Sequence, residues 1–432
     1  MGSDLADADR STDASAAPIW EPTFQPRWLK LINRASALLL GRDRPRLDAD
    51  AMIARARRAT GLVDFGPDEF RESLGVLVDA FSGREDVHAF GRLAFRKYCE
   101  GLLESRLRIR DDLKRHPEIL DVPITAPVFI VGLPRSGTTF LQRLMSTDPA
   151  ARVMQFWEAL WPSPPPTSAT YATDPRIARA RRQVALLDRV APGVAAGHEL
   201  GATLPEEDNS MFARDFRAAI FGFMYDVPDY ILWLDGQDRL PGYRSHKREL
   251  QLLSWRCPGN HWVLKAPTHL YGLDTLLQVY PDARVVMTHR DPEKVVPSVC
   301  RLAANFRGML VDRIELRRLG AEFVEAVGQG SDRAIGARAT LDPARFHDVS
   351  YDDLVADPIG AVRGICDRFG LDFSPGFEAG ARRHLGEHPQ GRRGVHRYGL
   401  DDFGLDRATV HRFFAAYRAW TADRGISTGG PA

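Results

Sequence analysis

Val128-Phe-Ile-Val-Gly-Leu-Pro-Arg-Ser-Gly-Thr-Thr139 is an apolar run that breaks into a loop bounded by two glycines and then enters helix-forming sequence. A strand feeding such a loop cradles phosphate-like anions, because backbone N–H groups and the following helix N-terminus converge on one point. Gly132 and Gly137 keep the outer spacing of a P-loop, but Thr138 stands where that motif carries its lysine. The cation available inside the loop is Arg135. Phosphoryl transfer from a magnesium triphosphate leans on the missing lysine, so the anion expected here is not a triphosphate.

Outward from this loop the chain alternates short apolar runs with helical pattern, which predicts a parallel sheet with crossover helices. Strands are expected near Val128–Val131, Arg152–Phe156, Trp262–Leu264, Arg284–Thr288 and Arg345–Val349. The fold class is therefore α/β, a P-loop-type parallel sheet flanked by helices. Residues 1–17, rich in Asp, Ala and Ser, are expected to be a disordered leader. Residues 18–120 read as an N-terminal helical subdomain, with Trp28, Leu31, Ile32, Ala35, Leu38 and Leu39 at helical spacing and a similar pattern from Phe90 to Leu107. Residues 121–432 form the α/β part. Within it a helical insert at about 160–257, opening on Trp161-Pro-Ser-Pro-Pro-Pro166, is expected to cover the active site.

Composition narrows the function. With 58 basic and 57 acidic residues the net charge is +1, so no global field recruits nucleic acid and any anion site must be local. Four scattered cysteines without a CxxC pair speak against a zinc site or a disulfide framework and for a reducing, cytoplasmic setting. No apolar run reaches the roughly 20 residues that span a bilayer. Arg27, Lys30, Arg34 and Arg42 beside the first apolar stripe allow a peripheral membrane contact through that helix, with packing inside the protein as the plainer use.

A second anion site is expected where the fourth strand ends. Arg290 falls at its carboxyl end, Asp291-Pro292 reads as a helix cap, and Ser298 lies two turns along the same helix face. With the loop upstream, this makes the chain resemble the sulfotransferase family, enzymes that use 3′-phosphoadenosine-5′-phosphosulfate. The resemblance spans about residues 125–400 and looks most like bacterial members. It implies that Pro134, Arg135, Ser136, Gly137, Thr138 and Thr139 hold the 5′-phosphosulfate and that Arg290 and Ser298 hold the 3′-phosphate. It also implies that Tyr351, opening Tyr-Asp-Asp-Leu-Val-Ala-Asp-Pro358, lies near the adenine, and that Arg393 and Gly394 belong to a loop closing over the nucleotide.

Sulfuryl transfer to a hydroxyl needs cations for the leaving phosphate and a base for the acceptor, and no metal is strictly required. Arg135 and Lys265 are the expected cations. For the base the sequence offers Glu158 after the second strand and His269 four residues after Lys265, with the Glu206-Glu207-Asp208 cluster and His198 in reserve. The acceptor is expected to be a small-molecule, lipid or carbohydrate hydroxyl. An atypical P-loop kinase or ATPase, and an inactive nucleotide-binding scaffold, remain the alternatives at this point.

Overall fold

The computed structural model describes residues 46–191, 194, 199–388 and 399–429, together with 19–20, 26, 28, 30–31, 33 and 35. All five residues of β1 (Val128–Gly132) are buried, as a strand covered on both faces must be. It lies at the middle of a five-stranded parallel sheet with β2 (Ala151–Arg152), β3 (His261–Lys265), β4 (Arg284–His289) and β5 (Phe346–Ser350), in the order β2-β3-β1-β4-β5. Val128 pairs with Val263 on one side and Arg284 on the other, and Gly132 reaches Thr288. The chain direction of strand addition reverses at β1, so the crevice beyond its carboxyl end is where an open α/β sheet binds ligand.

The pleat sorts the core. Phe129, Val131, Trp262, Leu264, Val285 and Met287 face one apolar cluster, while Val128, Ile130, Val263 and Val286 face another. The second, smaller cluster packs against helix α4 (Thr138–Met145) and the helices at Pro358–Phe369 and Pro375–Glu387. The first is larger and continuous with the N-terminal helices α1 (Ala49–Thr60), α2 (Glu69–Ser82) and α3 (Ala89–Arg115).

Between β2 and β3 come α5 (Phe156–Leu160), α6 (Pro175–Val190), α7 (Asn209–Ala213), α8 (Ile220–Tyr225), α9 (Pro228–Asp235) and α10 (Leu240–Ser254). After β3 follow α11 (Leu273–Val279), α12 (Pro292–Arg307) and α13 (Leu316–Arg338). The N-terminal helices do not form a separate core. Phe81 stacks on Phe95 at 3.9 Å, and both meet Tyr225 of the insert edge-on, at 5.6 and 5.0 Å. Arg84 donates to the Tyr225 carbonyl at 2.6 Å, and Arg106 pairs with Asp215. N-terminal helices and insert thus fold as one wall around the cleft.

One strand expectation is corrected. The second strand stops at Arg152, and Phe156 begins α5 instead. The cause is a capping box: the Gln155 side chain accepts from the Glu158 backbone, and the Glu158 carboxylate accepts from the Gln155 N–H at 2.9 Å.

Candidate active site

The glycine-bounded loop closes as its backbone demands. Gly132 has φ +147, and a Cβ there would lie 2.3 Å from the Thr288 hydroxyl. Gly137 has φ +92 and sits against the Tyr351 ring, which a Cβ would approach to 3.0 Å. Arg135 also adopts a left-handed φ of +67, a strained state for a residue with a side chain. Four hydrogen bonds hold the loop in this shape. Ser136 Oγ is buried against the Leu133 carbonyl and Thr288 Oγ1, Arg290 Nη1 donates to the Arg135 carbonyl at 2.7 Å, and Arg135 Nε donates to Ser298 Oγ at 3.1 Å. Ser136 therefore braces the loop with its side chain; its own N–H is given to Leu133.

The two expected anion grips meet. Arg290 lays its guanidinium 3.9 Å over the Tyr351 ring, so Arg135, Arg290, Ser298 and Tyr351 form one cluster at the exits of β1, β4 and β5. Ser298 serves Arg135 here, where the sequence spacing had aimed it at Arg290. Thr138 and Thr139 begin α4, whose first N–H groups lack intrahelical acceptors and point into the loop. Arg393 and Gly394 lie outside the described residues.

Lys265, at the end of β3, is only 1% exposed, and its Nζ donates to Glu207 Oε1 at 2.6 Å and Thr139 Oγ1 at 3.2 Å. Glu207 is held there from both sides. Asn209 Nδ2 donates to its Oε2 at 2.6 Å, and the next residue, Asp208, donates its N–H to the Lys265 carbonyl at 3.3 Å.

Glu158 and His269, the expected bases, are placed elsewhere. Glu158 is fully buried; it pairs with Arg152 and accepts from the Tyr171 hydroxyl at 2.8 Å as well as from Gln155. Burial opposes the charge on Arg152, but the Glu158 carboxylate outweighs it and holds the guanidinium more basic than usual. Glu158 is thus the buried half of an ion pair that fastens α5 to β2. His269 is 1% exposed, with Nε2 on Asp208 Oδ2 at 3.0 Å and Nδ1 on the Tyr243 hydroxyl at 2.9 Å. His246 approaches the same Asp208 oxygen at 3.2 Å. The three donor atoms lie within 4.8 Å of one another, as metal ligands could. Burial opposes ionisation of Asp208, yet the two imidazoles prevail and hold its carboxyl far below the usual range. As a clamp, the trio pins the segment that presents Glu207.

Pro134, Arg135, Gly137, Thr138, Thr139, Glu206, Glu207, Arg290 and Tyr351 all border one cavity of ≈ 1450 Å³. Beyond that polar end its wall is mostly apolar, supplied by α3, α6, α8, α9, α12 and α13, with Phe223 meeting both Phe306 and Phe323 edge-on at 5.6 Å. Of the large insert side chains, Trp161, Phe223, Met224 and Tyr225 reach this cavity, whereas Phe221 and Tyr230 are core.

Residues 127–375 match the family model described as "Sulfotransferase family". The chain belongs to the sulfotransferase family. Among solved structures, sulfotransferase STF1 from Mycobacterium tuberculosis is 34% identical, with 86% of this chain and 99% of that one covered at a TM-score of 0.78. Sulfotransferase STF9 from Mycobacterium avium is 30% identical, covering 89% and 98% with a TM-score of 0.81. The omega-hydroxy-beta-dihydromenaquinone-9 sulfotransferase Stf3 of Mycobacterium bovis is 26% identical over 271 residues, 61% of this chain and 67% of the relative. As a sulfotransferase, the protein moves a sulfuryl group to an acceptor hydroxyl. Negative charge grows on the leaving group in such a transfer, and cations stabilise it.

Glu207 was only in reserve on sequence. The available signal was the run Glu206-Glu207-Asp208, but nothing local says that this loop, far along the chain from β3, lies beside Lys265.

Proposed function

We propose that this sulfotransferase takes its sulfuryl group from 3′-phosphoadenosine-5′-phosphosulfate and passes it to the terminal hydroxyl of an elongated apolar acceptor. The observation that carries the reading is one cavity whose polar end holds Arg135, Arg290 and Glu207 and whose remaining wall is mostly apolar. A bisphosphorylated nucleotide fits this donor set: two guanidiniums and an α4 N-terminus, on a loop whose two glycines pass so close to Thr288 and Tyr351 that a Cβ would collide with them. When bound, that nucleotide supplies the sulfuryl group and a phosphate leaving oxygen. Arg290 and Ser298 hold its 3′-phosphate, the loop and Thr138 its 5′ end, and Tyr351 the base.

Lys265 brings a buried ammonium to the leaving oxygen. Glu207 Oε1, now on Lys265 Nζ at 2.6 Å, accepts the acceptor's hydroxyl proton once Lys265 turns to the developing anion. The acceptor class follows from shape: the cavity exceeds the ~300–1,000 Å³ of an ordinary ligand pocket. The Stf3 relative, named for an omega-hydroxy menaquinone, supports a lipid alcohol. All four cysteines are free and buried, which supports a reducing, cytoplasmic setting, and no described helix is long and apolar enough to cross a membrane.

Calorimetric titration with 3′,5′-adenosine bisphosphate against ATP plus magnesium tests the donor. The bisphosphate is expected to bind without metal and more tightly; preference for the magnesium nucleotide would return the chain to the kinase reading. Transfer of radiolabelled sulfuryl groups to a lipid extract, with label appearing only in water-soluble products, would remove the lipid acceptor.

A further inference from the structure

The described residues expose seven large apolar side chains, and four of them, Trp28, Leu93, Leu186 and Leu232, border the acceptor cavity at 51%, 45%, 58% and 78% exposure. They come from four separate segments: the first helical stretch, α3, α6 and α9. Scattered surface leucines need no explanation, but their concentration at one opening does.

The helix α6 adds charge to this rim. Its sequence Pro175-Arg-Ile-Ala-Arg-Ala-Arg-Arg-Gln-Val-Ala-Leu-Leu-Asp-Arg-Val190 carries five arginines against one aspartate. One stripe, Arg179, Gln183, Leu186, Leu187 and Val190, lines the cavity. Arg182 and Arg189 stand four before and three after Leu186, hence beside it on the helix surface. Both are exposed, and neither has an ion-pair partner among the described residues. An exposed leucine flanked by unpaired arginines, on a helix that opens into an apolar cavity, has the chemistry of an interfacial helix. Apart from Glu206 and Glu207 at the polar end, the acidic residues of the cavity border are Asp235 at the end of α9, paired with Arg239 and Arg333, and Glu322 and Glu325 on α13. Among the elements of the rim, α6 therefore carries a local excess of positive charge.

We propose that the mouth of the acceptor cavity docks on an anionic lipid surface, with α6 laid against the headgroups and Leu186, Leu232 and Trp28 inserted among the chains. An apolar alcohol then enters the cavity from the bilayer without crossing water. The inference rests on the apolar-acceptor reading. It differs from a contact made by the first helix alone, for which only Lys30 of the four basic residues named above is described.

Sedimentation of the full-length protein with vesicles tests it. Binding to phosphatidylcholine vesicles containing phosphatidylglycerol is expected to exceed binding to phosphatidylcholine alone by about tenfold and to weaken with salt. The double variant Arg182→Glu/Arg189→Glu replaces no residue of the cavity wall. It is expected to lose that advantage while transferring sulfuryl groups normally to a detergent-dispersed short-chain alcohol. Leu186→Asp/Leu232→Asp, checked for folding by its melting transition, is expected to lose vesicle binding too. Equal sedimentation with both vesicle types, none with either, or unaltered binding by the arginine double variant overturns the proposal. Affinity for 3′,5′-adenosine bisphosphate on the same preparations reports the donor reading separately, because vesicles play no part in it.

Discussion

The two ends of the cavity are built by opposite strategies. At the polar end, proposed to hold the donor, Arg135, Lys265, Arg290 and Tyr351 sit at or just past the ends of β1, β3, β4 and β5, held by partly buried hydrogen bonds and, for Tyr351, by the Arg290 guanidinium over its ring. At the acceptor end, side chains from α3, α6, α8, α9, α12 and α13 are brought together only by tertiary packing. A sheet edge fixes geometry to the tolerance that charge stabilisation needs, whereas a wall of separate helices sets volume and apolarity. The chemistry is therefore expected to be sensitive to single atoms at the first end, and acceptor choice to bulk at the second. One helix joins them. In α12, Ser298 meets Arg135 while Val299, Leu302 and Phe306 line the acceptor wall at three- and four-residue steps.

The largest expected effect separates the two glutamates. Glu207→Gln is expected to lower turnover by about 10²–10⁴-fold with bisphosphate affinity kept, as loss of a general base does. Glu158→Gln strips the buried Arg152 of its counter-charge and is expected to cost about 3–5 kcal/mol of stability. Its melting temperature should fall while turnover of the folded protein persists. Steady-state kinetics paired with calorimetry on both variants decides; near-normal turnover of the Glu207 variant would take the base away from that residue.

Smaller, and confined to the donor end, is the effect of Arg290→Ala. Charge-assisted hydrogen bonds carry about 1.5–3 kcal/mol each, so affinity for 3′,5′-adenosine bisphosphate is expected to drop about 10- to 100-fold. The arginine also braces the strained Arg135 through its carbonyl at 2.7 Å, and Arg290→Lys, which keeps charge but not the fork, should restore only part of the loss. Unchanged affinity in the alanine variant would detach the β4 exit from the nucleotide.

The same contrast explains what the sequence discloses. The positions of the loop after β1, of Arg290 and of Tyr351 are legible because each directly follows an apolar run, so position on the strand predicts position in the cleft. Glu158 was misplaced for a local reason: the capping box with Gln155 turns it inward after β2 ends early. His269 was misplaced for a distant one, since Asp208 and Tyr243, which claim its two nitrogens, come from the insert. The helical character of residues 49–115 and of the insert could be read from periodicity. That both share a single core around one cavity could not, because periodicity shows which face is apolar and not what it meets.

The smallest effect probes the acceptor wall through the shared helix. Leu302 is half-buried, borders the cavity and stands one turn beyond Ser298 on α12. In Leu302→Trp the indole takes cavity volume without touching Arg135 or Arg290. Because a misfit of one or two methylenes is worth about tenfold in kcat/KM, long-chain alcohols should suffer a KM rise of about that size and short-chain alcohols little. Bisphosphate affinity should not move if the two ends are independent. A parallel loss of nucleotide binding would show that α12 transmits changes from the acceptor wall to Ser298, and the separation of the two ends would then be one of sequence origin rather than of energy.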